Sequence, residues 1–245
     1  MIRVLICLLC CALSLQKTHA QLLLTQQDSS IAIYDLASNN VVELFPKITG
    51  HLSGYRISND SIFCYITHNG VITAEPFALS RISSPVPKIR EADYIQQIEH
   101  DTIVHISERE KLIATRNCIG LCVDHNIRWT LFGKGIVNCI DCKASLSENG
   151  QINLSGISID PGKTGFLYVA AKWGFVVSYS KIYHVDLKNG AKKLLVKRAG
   201  NPYYSPDGLY ILYRNAYKEE YKVMQKTGSK MAYRFNKAYW VYEKI

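Results

Sequence analysis

The chain has 245 residues, 48% of them apolar and 20% charged, with a formal net charge of +9. That balance excludes a disordered chain and supplies enough apolar side chains for a sizeable core. The charge is uneven: residues 181–245 hold 14 Lys and Arg against 5 Asp and Glu, whereas residues 21–180 hold 13 against 15.

At the N-terminus, Arg3 precedes the almost wholly apolar run Val4–Leu15, and Thr18-His19-Ala20 ends in a small residue. This is the form of a secretory signal peptide. The apolar run is far shorter than the roughly 20 residues a membrane helix needs. Residues 1–20 are therefore expected to be removed, leaving residues 21–245 as a single domain in the periplasm or outside the cell. No later stretch of the sequence is long and apolar enough to form a spanning helix.

Along the mature chain, short β-prone runs follow turn signals at recurring positions. Ser58-Asn59-Asp60 precedes Ile62–Ile66, and His100-Asp101 precedes Thr102–Ile106. Ser158-Ile159-Asp160-Pro161-Gly162 precedes Phe166–Val169, and Ser205-Pro206-Asp207-Gly208 precedes Leu209–Tyr213. Asp60, Asp101, Asp160 and Asp207 are 41, 59 and 47 residues apart, close to the roughly 40–50 of a four-stranded propeller blade. A second element keeps the same phase: IAIYDLASNNVVEL (31–44) aligns with IYHVDLKNGAKKLL (182–195), matching Asp35 to Asp186 and Leu36 to Leu187.

The turn chemistry explains the repeat. Pro206 presets φ, Asp207 can bond its own backbone two residues on, and Gly208 takes the positive φ that ends the turn. Asp60, Asp101, Asp160 and Ser205–Gly208 are accordingly read as structural hairpin corners. The expected fold is an all-β propeller of about five four-stranded blades, with six as the alternative. The expected units are residues 21–46, 50–90, 94–133, 155–195 and 199–245, the first without its innermost strand and the last without its outermost.

The stretch PYYSPDGLYILY, with strands of the IYHVDL kind, resembles the repeat of TolB-type, WD40-like β-propellers of bacterial periplasmic proteins. The fifth unit matches well, the fourth with a Pro-Gly displacement, and the second and third are degenerate. The resemblance implies architecture, and a non-enzymatic module that binds a protein or envelope component through loops on one face. Two alternatives stand beside it: a propeller hydrolase or lyase acting on a glycan or peptide, and a structural accessory subunit of an envelope assembly.

Catalytic and cofactor signatures are sparse, and no catalytic residue, cofactor or metal is expected. PGKTG (161–165) has Ile157 where a Walker A loop needs glycine. No Gly-x-Ser-x-Gly or His-Glu-x-x-His occurs, so neither an α/β-hydrolase nucleophile nor a zincin site has its usual frame. Cys118, Cys122, Cys139 and Cys142 are spaced Cys-x3-Cys-x16-Cys-x2-Cys. That spacing suits a zinc knuckle, but export favours disulfides. Two disulfides are the leading reading, zinc or free thiols the alternatives, and four cysteines allow three connectivities.

In residues 215–245, Lys222, Lys226, Lys230 and Arg234 recur every four residues among many aromatics. Residues 216–236 are read as an insertion of about twenty residues between a second strand, Leu209–Asn215, and a third, Lys237–Ile245. Its four cations, with Tyr217, Tyr221, Tyr233, Phe235, Tyr239 and Trp240, would hold an anionic or carbohydrate-bearing partner by charge and stacking, a protein or anionic envelope component and not nucleic acid; the bland alternative is a solvated surface or short helix. The mature protein, denatured without reductant, should titrate about one free thiol, Cys64, since each disulfide removes two. Five titratable thiols, or zinc released stoichiometrically by a chelator, would reject the disulfide reading.

Overall fold

The computed structural model describes residues 21–82, 84–90, 102–114, 119–124, 126–130, 151–172 and 179–245. These form an all-β architecture of successive antiparallel sheets, joined in the order in which their strands appear in the chain. The first run comprises β1 (Leu22–Gln27), β2 (Ser30–Asp35) and β3 (Asn40–Phe45), and the second β4 (His51–Ser58), β5 (Ser61–His68) and β6 (Val71–Ala78). A short strand, β7 (Lys88–Ile89), precedes β8 (Thr102–His105), β9 (Glu110–Ala114), β10 (Ile119–Val123) and β11 (Asn126–Thr130). Then come β12 (Gln151–Ile159), β13 (Gly165–Lys172), β14 (Tyr179–Asp186) and β15 (Lys192–Lys197). The last sheet in the chain holds β16 (Ala199–Tyr204), β17 (Tyr210–Asn215), β18 (Tyr221–Gln225) and β19 (Lys230–Phe235), followed by β20 (Lys237–Trp240) and β21 (Glu243–Lys244).

Side-chain alternation shows how the sheets stack. In β17, Ile211 and Tyr213 join a core cluster with Leu167, Val169 and Ile182 of the preceding sheet, while Leu212 joins Leu23 and Trp240 on the other side. In β1, Leu22 and Leu24 pack with Leu52 and Ile62 of the β4–β6 sheet, and Leu23 turns back toward β16–β19. In β13, Phe166 and Tyr168 face Val104 and Leu121, whereas Leu167 and Val169 face Tyr204 and Ile211. Successive residues of one strand thus serve two neighbouring cores. A sheet buried on both faces needs such near-continuous apolar strands, and face-to-face stacking of four-stranded meanders is the propeller arrangement.

The repeat read from the sequence corresponds to real turns. Asp60, Asp160 and Asp207 each lie in the turn between the first and second strands of their unit. Asp35 and Asp186 occupy matching positions at β2–β3 and β14–β15. Asp35 Oδ1 accepts from the backbone N–H groups of Ala37 and Ser38 at 3.0 and 3.4 Å. Asp186 Oδ1 accepts from those of Lys188 and Asn189 at 2.8 and 3.2 Å. PGKTG is the β12–β13 turn, with Lys163 at φ 52°. Asp101 lies outside the described residues.

The last unit departs from the expectation. Residues 216–236, expected as an insertion, contain β18 and β19, so the β16–β19 sheet has its outermost strand. Lys237 does not begin a third strand of that sheet. It begins β20, which pairs antiparallel with β1 and becomes the missing innermost strand of the first sheet, in the order β20-β1-β2-β3. The reason is side-chain phase. In β20, Ala238 and Trp240 are buried in the cluster shared by the closing sheet and β16–β19. The alternation of β19, which ends at buried Phe235, shifts by one residue across Asn236–Lys237, so β20 starts in a new phase.

The closure is reinforced beyond the ladder. Val241 N–H donates to Leu22 O and Asn236 N–H to Gln26 O, both at 2.9 Å. β21 pairs in parallel with β7, and Lys88 Nζ lies 3.2 Å from Glu243 Oε2. Trp240, 1% exposed, is a large side chain buried at this junction. Trp240→Ala should therefore lower stability by about 3–5 kcal/mol, read as the shift in urea midpoint at constant m-value. A loss below about 1 kcal/mol would mean that the indole does not carry the closure.

Candidate functional site

Of the four cations of residues 222–234, two stand opposite each other and one is engaged by the neighbouring sheet. Lys222 stands directly opposite Arg234 across β18 and β19, and Met224 opposite Lys230. Lys226–Ser229 is the turn joining third and fourth strands, with Gly228 at φ 107°. That turn lies on the side of the sheet where first and second strands connect, not where second and third do. Lys230 and Arg234 are exposed on an outermost strand, where positive charge also discourages pairing with a second chain.

Lys226 has a different role. Its ammonium contacts the Asp160 carboxylate of the preceding sheet and sits 3.4 Å from Thr164 Oγ1. The Asp160 side chain is 4% exposed and that of Lys226 34%, so the pair is half-buried and joins two sheets. Thr164 Oγ1 also donates to Asp160, and Gly162 N–H lies 3.3 Å from its Oδ1. Gly208 of the next turn fits against the same carboxylate. A Cβ added there would lie 2.6 Å from Asp160 Oδ1, at a φ of 73° that side chains disfavour.

His184 and Tyr204 border this clamp. Burial, assisted by the Lys226 ammonium, holds the His184 imidazole below its ordinary value, only partly offset by Asp160 and Asp186. Burial, with the Asp160 carboxylate beside it, pushes the Tyr204 phenol up. An imidazole kept neutral and a carboxylate already engaged by Lys226, Thr164 and Gly162 describe an inter-sheet joint. Asp207 repeats the arrangement one sheet further on, accepting from Gln21 Nε2 of the closing sheet and from Ser205 Oγ at 2.5 Å.

Of the predicted cysteine cluster, Cys122 lies on β10, while Cys118, Cys139 and Cys142 fall outside the described residues. Cys64 is wholly buried on β5, and burial pushes its thiol up to about 12, which makes it an inert core residue. Among the described residues, no group of three or more His, Cys, Asp or Glu could hold a metal ion.

A concave site does exist where the chain closes. A cavity of about 250 Å³ is lined by Tyr55, Tyr203, Leu212, Tyr221, Ala238, Tyr239, Trp240 and Tyr242. Leu212, Ala238 and Trp240 are buried and form its floor, and the five tyrosines are half-buried walls. Three first strands meet here: Tyr203 is on β16, Tyr239 on β20 and Tyr55 on β4. The frame is pinned by hydrogen bonds. Tyr55 Oη donates to Trp240 O at 2.6 Å and accepts from Tyr242 N–H at 3.1 Å, and Trp240 Nε1 donates to Tyr203 O at 3.3 Å.

Two of the phenols, Tyr55 and Tyr239, are kept neutral. Burial pushes Tyr55 up, and burial together with the neighbouring phenols of Tyr221 and Tyr203 pushes up Tyr239. A tyrosine base would need the opposite shift. The sequence pointed at part of this site, since Tyr221, Tyr239 and Trp240 belong to the aromatic-rich stretch read as a binding surface. Tyr55 lies 185 residues from Trp240 in the chain and had no signal of its own; only ring closure brings it in.

No family model matches the chain, and no curated protein matches its sequence. Among solved structures, it is similar to dihydro-heme d1 dehydrogenase NirN in complex with DHE, at 13% identity and TM-score 0.35, over 87% of this chain and 43% of that one. It is also similar to the β-propeller domain of Cps50 (Swd1) from Myceliophteria thermophila, at 11% identity and TM-score 0.34, over 88% and 70%. Hsv2 of Kluyveromyces lactis follows at 9% identity and TM-score 0.27, over 84% and 71%. The chain spans less than half of the first of these proteins. The fold assignment rests on the chain's own sheet order and core packing.

The two kinds of cation should separate on mutation. Lys226→Ser leaves the Asp160 carboxylate uncompensated and should cost about 2 kcal/mol, below the value for a fully buried pair because Lys226 is part-exposed. Lys222→Ser, Lys230→Ser and Arg234→Ser should each change stability by less than about 0.5 kcal/mol. Denaturant midpoints of the four single variants check this; equal effects would show that the Asp160 pair adds nothing.

Proposed function

We propose that this chain is an exported, non-enzymatic β-propeller that holds a protein or cell-envelope partner at its aromatic recess. The observation that carries the reading is the recess itself. Half-buried tyrosines from three sheets surround an apolar floor, on a frame rigid enough to need little ordering on binding. Export rests on the N-terminal sequence, and the envelope setting on the resemblance of the Ser205–Gly208 turn to TolB-type repeats. Among the described residues no helix is long and apolar enough to cross a membrane. Lys222, Lys230 and Arg234 would add a salt-sensitive attraction for an acidic partner, with Lys226 reserved for Asp160.

The reading is tested by capturing envelope and secreted fractions on immobilised protein, then measuring affinity for the purified captured component. Tyr221→Arg, checked for folding by circular dichroism, should weaken that affinity at least about tenfold, as expected for the loss of an aromatic anchor. Unchanged affinity in this variant, the absence of any reproducible partner, or turnover of a glycan or peptide by the purified protein would overturn the proposal.

A further inference from the structure

Resting on that binding reading, we infer that the recess accepts a single uncharged pyranose ring, presented by a glycan of the partner. The first ground is shape. A cavity of about 250 Å³ lies below the roughly 300–1,000 Å³ of drug-sized ligand sites and suits one six-membered ring with its substituents. The second is surface chemistry. Tyrosine walls offer flat, weakly polar faces against which the C–H face of a pyranose can lie, with an apolar floor beneath.

The third ground is hydrogen bonding. Tyr55 Oη is committed to the frame, donating to Trp240 O and accepting from Tyr242 N–H. The Tyr221 and Tyr239 hydroxyls differ: neither makes a side-chain hydrogen bond with another described residue, yet their phenols are near enough for Tyr221 to raise the Tyr239 pKa. Each hydroxyl can donate once and accept twice. Filling the recess with a purely apolar group would strand both, whereas a ring with an apolar face and a rim of hydroxyls satisfies them while stacking.

Charge narrows the class. Among the described residues, the lining holds no Arg, Lys, His, Asp or Glu. A uronate or sugar phosphate would enter without a counter-charge, and an ammonium group would find ring faces but no carboxylate. Phenol hydroxyls that donate and accept, beside an apolar floor, favour a neutral polyol.

Saturation-transfer NMR on the purified protein, irradiating aromatic protons, tests the inference. The probes are methyl β-D-glucopyranoside, methyl β-D-galactopyranoside and methyl α-D-mannopyranoside at millimolar concentration, with choline chloride and sodium glucuronate as charged comparisons. At least one neutral pyranoside should receive saturation on its ring C–H protons, ahead of both charged probes. Tyr221→Phe combined with Tyr239→Phe keeps the rings and should weaken that binding about tenfold, the loss of two hydrogen bonds. Tyr183→Phe, on β14 and outside the recess, should leave it unchanged.

Preferential binding of choline or glucuronate would overturn the pyranose inference, as would no binding of any probe or neutral-sugar binding untouched by the double variant. None of those results touches the capture experiment with Tyr221→Arg, so the ligand class can fail while the binding reading stands. Loss of partner binding in that experiment together with pyranoside binding here would support both.

Discussion

The structure depends on one long-range pairing, that of β20 with β1. Four residue pairs, from Leu23 with Trp240 to Gln26 with Lys237, join the two ends of the described chain in one sheet. Without β20 the closing sheet would expose the inner edge of β1, and the β16–β19 sheet would lose the apolar partner of Leu212 and Val223. An unpaired central edge and an uncovered apolar face are each unfavourable, and closure removes both with the same four residues. The β7–β21 pair and the Lys88–Glu243 contact lie just beyond it and tie the last residues down.

The joints between neighbouring sheets repeat a simple device. A turn aspartate sits at the corner of one sheet and is reached by a side chain of the next: Lys226 for Asp160, Gln21 for Asp207. Apolar stacking between sheets is non-directional and would tolerate sliding. A buried carboxylate tolerates much less, because displacement leaves it without partners. Ser158 Oγ, accepting from Tyr204 N–H at 3.2 Å, adds a further fixed point at the same joint. The polar corners therefore set the relative position of faces whose attraction comes from the apolar residues.

The recess is a consequence of closure rather than of any one sheet. Its walls come from β4, β16, β18 and β20, and Trp240 serves as both floor and structural plug. Under the proposed function, binding and stability are coupled at Trp240, while Tyr221 and Tyr239 project hydroxyls that the frame does not use. Changes at those two positions should cost folding little, whereas changes at Trp240 or Tyr55 disturb the junction itself.

The sequence by itself determined the β class and the turns at Asp60, Asp160 and Asp207, because these rest on local chemistry. A Pro-Asp-Gly corner and a β-prone run declare themselves within a dozen residues, and Asp35 and Asp186 form the same short backbone bonds wherever their strands go. It misjudged residues 216–236, where cations every four residues masked two strands, although Lys226-Thr227-Gly228-Ser229 carries a hairpin turn's glycine. The tertiary structure alone decided that β20 belongs with β1, that Lys226 faces Asp160 rather than solvent, and that Tyr55 meets Trp240. The physical reason is separation along the chain: partners as far apart as Lys226 and Asp160, Tyr55 and Trp240, or Leu23 and Trp240 leave no mark on each other's local sequence, and only the closing of the sheets brings them into contact.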